Sequence, residues 1–160
     1  YEIGDTIRFT STSPYRFKIT GRTKHHINVF GEELVIENAE TALADVSKAH
    51  QASVIDFTAG PVFMNGKKKG KHEWIVEFKS PPKDIGQFVS DLDKRLQELN
   101  SDYEAKRYKN MTLDSLDMHV GRENLFHDWL KDKNKLGGQN KIPRLSNSRE
   151  FVDVLLKMNH

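Results

Sequence analysis

The 160 residues contain no cysteine. That removes disulfides, thiolate metal sites and a cysteine nucleophile together. Long hydrophobic runs are also missing. A membrane-crossing helix needs roughly 18 consecutive apolar residues, whereas stretches such as Leu34-Val35-Ile36 are short, so no membrane partner is expected. Charge of one sign is not in excess: 25 Lys and Arg face 23 Asp and Glu, a formal +2. Whole-surface attraction to nucleic acid is not implied, and nucleic acid is not an expected partner. The first residues, Tyr1-Glu2-Ile3-Gly4-Asp5, carry neither an initiating Met nor the basic flank and apolar core of a secretory signal. The chain therefore reads as a piece cut from a longer, cytoplasmic protein. Internal repeats are absent as well.

What is present suffices for a core. Hydrophobic residues make up 36%, and a chain of this length buries roughly two thirds of its unfolded surface. Ile7 and Phe9, then Tyr15, Phe17 and Ile19, alternate with polar residues around Ser13-Pro14. This predicts a hairpin of strands 6–10 and 15–20. Ile27 and Val29 read as a short strand ended by Gly31. From Glu33 to Ala49 the period changes. Val35, Ala39, Ala42, Val46 and Ala49 form a helical stripe, with Glu32 and Glu33 at its positive end. Strands are expected at 54–58 and 74–78, flanking a loop rich in Gly and Lys. Ile85, Phe88, Leu92, Leu96 and Leu99 mark a helix over 84–99, and Leu116, Met118 and Val120 a further strand. Helices follow over about 122–134 and from Phe151 onward, the latter with Asn147 and Glu150 spaced as a capping box. The predicted fold class is α+β: a small mixed or antiparallel sheet with helices packed on it. Residues 27–120 follow the ferredoxin-like order β-α-β-β-α-β, preceded by the hairpin.

Several chemistries find no support. His25-His26 are adjacent and diverge on a strand. His72-Glu73 begins like a zinc-helix motif, but Val76 stands where its second His belongs. Glu123 and His127 share a helical turn without further ligands, so no metal site is expected. No Gly-x-Ser-x-Gly elbow supports a Ser-His-Asp triad. The dense lysines of residues 66–71 suit an exposed hairpin tip and lack the Ser or Thr and following helix of a phosphate loop.

Two segments carry more. The first runs from Tyr1-Glu2-Ile3-Gly4-Asp5 to Gly21-Arg22-Thr23-Lys24-His25-His26-Ile27 and on to Gly31-Glu32-Glu33. The second is Gly137-Gly138-Gln139-Asn140-Lys141-Ile142-Pro143-Arg144. In this order and at this distance they resemble the adenylate-forming enzyme superfamily. There a Tyr-x-x-Gly-Asp segment closes the large domain, a Gly-Arg-x-Lys segment opens the small C-terminal domain, and a late lysine completes the site. The run 4–17, His72-Glu73-Trp74 and the lysine segment further resemble the auxin-responsive (Gretchen Hagen) acyl acid–amido synthetases, bacterial members above all. The likeness covers nearly the whole chain.

That resemblance implies a division: residues 1–23 end the large N-terminal domain and carry the hinge hairpin, and residues 24–160 form the C-terminal lid domain. It implies ATP and Mg2+ as cofactors, and a small carboxylic acid and an amine as substrates. The missing N-terminal adenylation domain is the implied partner. Lys141 would be the catalytic cation that reaches the carboxylate and the α-phosphate. Asp5 would accept hydrogen bonds from the ribose hydroxyls, Arg22 would stay near the nucleotide or the hinge, and Lys24 would be the hinge residue. The glycines and loop character of residues 137–144 would let Lys141 enter and leave. The fragment alone would be inactive and would expose apolar surface near residues 1–31. The alternative is a non-catalytic ferredoxin-like module that binds RNA or protein, with Lys67, Lys68, Lys69 and Lys71 as its basic contacts.

Overall fold

The hairpin forms where alternation places it. Strands β1 (Asp5–Thr12) and β2 (Tyr15–Arg22) pair antiparallel, with Ile7 opposite Ile19 and Phe9 opposite Phe17. Ile7, Phe9, Tyr15 and Phe17 stay exposed, and the Phe9 ring meets those of Tyr15 and Phe17 edge-on at 6.0 and 6.5 Å. A small aromatic sheet face is thus left open to solvent. The computed structural model describes residues 5–22, 26–66, 68–110, 112–133 and 141–160.

Strands β3 (His26–Ile27) and β4 (Leu34–Val35) then form a two-residue ribbon around a turn at Gly31. Helix α1 (Ile36–Ala49) follows. It starts later than the sequence periodicity suggests. Val35 belongs to β4 and faces outward, while Ala39, Ala42, Leu43 and Val46 form the buried stripe. The central sheet has the order β5-β6-β7 among the described residues. Strands β5 (Ser53–Val62) and β6 (Lys71–Ser80) are antiparallel, and β7 (Asp117–Gly121) runs parallel to β6. Pro81-Pro82 follows the end of β6, since proline cannot donate to the ladder. The parallel return of β7 needs a crossover, supplied by α2 (Ile85–Leu99) and α3 (Ser101–Arg107). Helix α3 carries no apolar stripe in the sequence, only Tyr103 as its buried residue. Helices α4 (Leu125–Asp132) and α5 (Glu150–Met158) complete the order.

The period of two in β6 builds two cores. Trp74 and Val76 join α1, α2, Tyr103 and Leu145 on one face, while Ile75 joins Leu125, Phe126, Trp129, Ile142, Val152 and Leu155 on the other. All three β6 residues are fully buried, as expected of a strand covered on both sides. The fold is α+β with a preceding hairpin, and the β-α-β-β-α-β order is present. Its first strand, β3, pairs with β4 and not with the sheet. No described helix is long and apolar enough to cross a membrane.

Candidate active site

Lys141 opens a strap, residues 141–149, that runs along the outer edge of β5. Lys141 itself is exposed. The residues behind it are anchored. Ile142 is buried in the second core. The Pro143 carbonyl accepts the Thr58 hydroxyl at 2.7 Å. Ala59 N–H donates to the Arg144 carbonyl at 2.8 Å, and Ser146 N–H donates to the Ala59 carbonyl at 3.1 Å. Leu145 is fully buried, in a parallel bridge with Ala59. Arg144 pairs with Asp56 at 3.2 Å and also with Glu40, and its guanidinium lies 5.1 Å from the centroid of Phe57. The Phe57 ring in turn stacks on Trp74. The expectation of a freely moving loop over 137–144 is therefore corrected for its last three residues. Apolar Ile142 and the backbone groups of Pro143 and Arg144 find better partners on β5 than in water. Residues 137–140 lie outside the described residues.

Gly60 makes this approach possible. A Cβ there would stand 2.9 Å from the Ser148 carbonyl oxygen and 3.2 Å from Val152 Cγ2. Asn147 does not cap α5, whose first turn shows no side-chain cap bond. Its Oδ1 accepts Asn28 N–H at 2.8 Å, so the same strap holds the chain just beyond the expected hinge. Arg149 donates to the Pro61 carbonyl and pairs with Glu73 at 2.6 Å. Burial opposes ionisation of Glu73, but Arg149 and His119 outweigh it and hold the carboxyl below its ordinary range.

A second set of polar groups pins the entry to this unit. Glu32 and His72 are both fully buried and meet at 2.8 Å. The other Glu32 oxygen accepts Phe30 N–H at 2.7 Å. Burial raises the Glu32 pKa, yet the His72 contacts and the backbone bonds win and leave it lowered. Glu32 is thus not a solvated charge at the helix start; its helix begins four residues later, at Ile36. The His72 ring lies against Tyr103, whose hydroxyl donates to Asp93 at 2.7 Å. Arg107 grips the same carboxylate through Nε and Nη2. Burial, then the Asp93 charge, push the Tyr103 pKa well up.

Of the other expected site residues, Asp5 and Arg22 are brought together as register partners at the open end of the hairpin. Lys24 lies outside the described residues. Lys68, Lys69 and Lys71 line a cleft of about 740 Å³ together with Asp114, and Lys71 pairs with Asp117. Acidic groups therefore stand among these lysines. No group of three or more His, Asp and Glu is placed to hold a metal among the described residues. Sequence reasoning missed Thr58, Arg144 and the Glu32–His72 pair. The apolar residues Ile142, Pro143 and Leu145 inside a largely polar loop were the local signal that the strap docks.

The profile of the GH3 family C-terminal domain matches residues 37–150. The chain belongs to this family. Two solved structures share the fold of this GH3 domain. One is a GH3.15 acyl acid amido synthetase, with a TM-score of 0.75 at 19% identity. The other is AtGH3.15 acyl acid amido synthetase in complex with 2,4-DB, with a TM-score of 0.74 at 18% identity. Each match covers 98% of the GH3 chain described here and 30% of the other chain. The chain thus spans under a third of the length of those relatives. No curated protein sequence matches it.

Proposed function

We propose that this GH3 domain is the mobile C-terminal part of an ATP-dependent, adenylate-forming ligase that joins a carboxylic acid to an amino acid or another amine. In the first half-reaction a carboxylate oxygen attacks the α-phosphorus of ATP and pyrophosphate leaves. In the second, the amine attacks the acyl carbon, AMP leaves, and the amine proton is lost to solvent. The first step brings two anions together, and a preorganised cation offsets their repulsion. Lys141 is assigned that role. The observation that carries the reading is its placement: an exposed lysine directly followed by three residues pinned to β5.

Family membership supports the ligase context, and the 30% coverage of the synthetase chains supports a large missing N-terminal domain as partner. We assign residues 1–23 to the end of that domain and residues 24–160 to the lid, with Lys24 at the hinge. The exposed Ile7, Phe9 and Phe17 suit burial against the missing part. We assign Asp5 to the ribose hydroxyls and Arg22 to the nucleotide or the hinge; their residue types suit those roles, and the two are register partners in the hairpin. We assign no ligand to Mg2+ in this chain; the ion would arrive with ATP. With the phosphate loop and acyl pocket assigned to the missing domain, the chain alone is catalytically silent. We place the reaction in the cytoplasm, where ATP is supplied.

The test is acid-dependent ATP–pyrophosphate exchange by the full-length protein, over a panel of carboxylic acids, beside a Lys141→Ala variant. Exchange is expected to fall by about a hundredfold or more in the variant. Absence of exchange with every acid refutes the ligase reading. An unchanged variant refutes the assignment of Lys141, and turnover by the 160-residue chain refutes its silence.

A further inference from the structure

We propose that Thr58 and Arg144 are positioning residues for Lys141, holding the strap on β5 so that the lysine meets the reacting phosphate already oriented. This deepens the adenylation reading and rests on it. Thr58 is fully buried, so its hydroxyl cannot touch a substrate. Its hydrogen-bond partner is the Pro143 carbonyl, two residues past Lys141. Arg144 acts from the other side of the strap. Its backbone carbonyl completes a β-type bond to Ala59, and its side chain joins α1 through Glu40 to β5 through Asp56, over the Phe57 ring. Successive Cα atoms lie about 3.8 Å apart. With Ile142 buried and Pro143 and Arg144 fixed, little freedom remains to the Lys141 backbone. The side chain keeps its own flexible stem, which suits a point charge that must find an oxygen.

If the loop were loose, Lys141 would pay an ordering cost at every turnover. Pinned to the sheet, it arrives already oriented, and misplacement by about 1 Å is enough to cost on the order of a hundredfold in rate. The Asn28–Asn147 bond ties the first residues beyond the hinge to the same strap.

The experiment uses the full-length protein and separates the half-reactions. ATP–pyrophosphate exchange reads the first; aminolysis of a supplied acyl-adenylate reads the second. Thr58→Val keeps the shape and removes the hydroxyl. Thr58→Ser restores it. Arg144→Ala removes the clamp, and Asp56→Asn weakens it from the far side. For Thr58→Val and Arg144→Ala, kcat of exchange is expected to fall about ten- to hundredfold, with KM for ATP within about twofold and aminolysis near the parent rate. Thr58→Ser is expected to recover most of the loss, and Asp56→Asn to act in the direction of Arg144→Ala. Equal losses in both half-reactions, tracking a lowered melting temperature, would mark a merely structural role and overturn the proposal. So would exchange at the parent rate in Thr58→Val while Lys141→Ala is inactive. Full exchange in Lys141→Ala overturns the assignment of that lysine, and the positioning proposal with it.

Discussion

Replacing Glu32 by Ala is expected to be among the costliest single changes in this domain. The carboxylate and the His72 ring are both 0% exposed and 2.8 Å apart, so water cannot take the place of either. Glu32 also accepts Phe30 N–H at 2.7 Å. His72 Nδ1 already has no partner among the described residues, so the variant leaves the whole imidazole unsatisfied. Hydrogen bonds to a charged group contribute about 1.5–3 kcal/mol each, and removing one member of a buried pair costs about 3–5 kcal/mol. Both routes lead to a loss of about 3–5 kcal/mol, which for this chain length corresponds to a melting temperature lower by roughly 6–20 °C. The assay is urea unfolding of the chain, followed by far-UV circular dichroism and by the fluorescence of Trp74 and Trp129. A double replacement, Glu32→Leu with His72→Phe, removes both polar groups and is expected to cost less than the sum of the single losses. The pH dependence has a defined sign. The folded pKa of Glu32 lies below its ordinary value of 4.5. Its stabilisation is therefore complete above that value and is lost as pH falls through the lower folded pKa. Glu32→Gln is expected to flatten this acid limb. A Glu32→Ala loss under about 1 kcal/mol, or strict additivity in the double variant, refutes the reasoning.

Glu77 is buried and accepts Asn124 N–H at 2.7 Å and Phe126 N–H at 3.2 Å, capping α4 from the neighbouring strand. Glu77→Ala leaves both donors dry and is expected to cost about 2 kcal/mol or more, with the transition seen first by Trp129, which α4 carries. Gly60→Ala sets a methyl 2.9 Å from the Ser148 carbonyl oxygen. It is expected to destabilise by about 1–3 kcal/mol and, by displacing the strap, to slow pyrophosphate exchange in the full-length protein; an unchanged melting curve would contradict that contact.

The elements that local pattern governs were legible in the chain. The stripe Phe88, Leu92 and Leu96 becomes the buried face of α2, and the alternation about Trp74 becomes the two faces of β6. The hairpin followed from its alternation, and its apolar face remains uncovered as a piece of a larger assembly implies. Where local signals conflicted with tertiary partners, the partners prevailed. Asn147 and Glu150 have capping spacing, yet Asn147 is taken by Asn28, more than a hundred residues away in sequence. Val35 fits a helical period, yet pairs with His26 in the ribbon.

The sequence by itself determined the fold class and the family, because those depend on periodicity and on ordered short motifs. Only the tertiary structure decided how Lys141 is held. Whether a polar loop is free or docked depends on which distant backbone groups lack partners. The outer edge of β5 supplied them: the Thr58 hydroxyl, the Ala59 amide and carbonyl, and the open space at Gly60. The same holds for Glu32. On a helical wheel it is one more acid near a helix start, and only the buried ring of His72 across the fold turns it into the pin that fixes the domain's first turn.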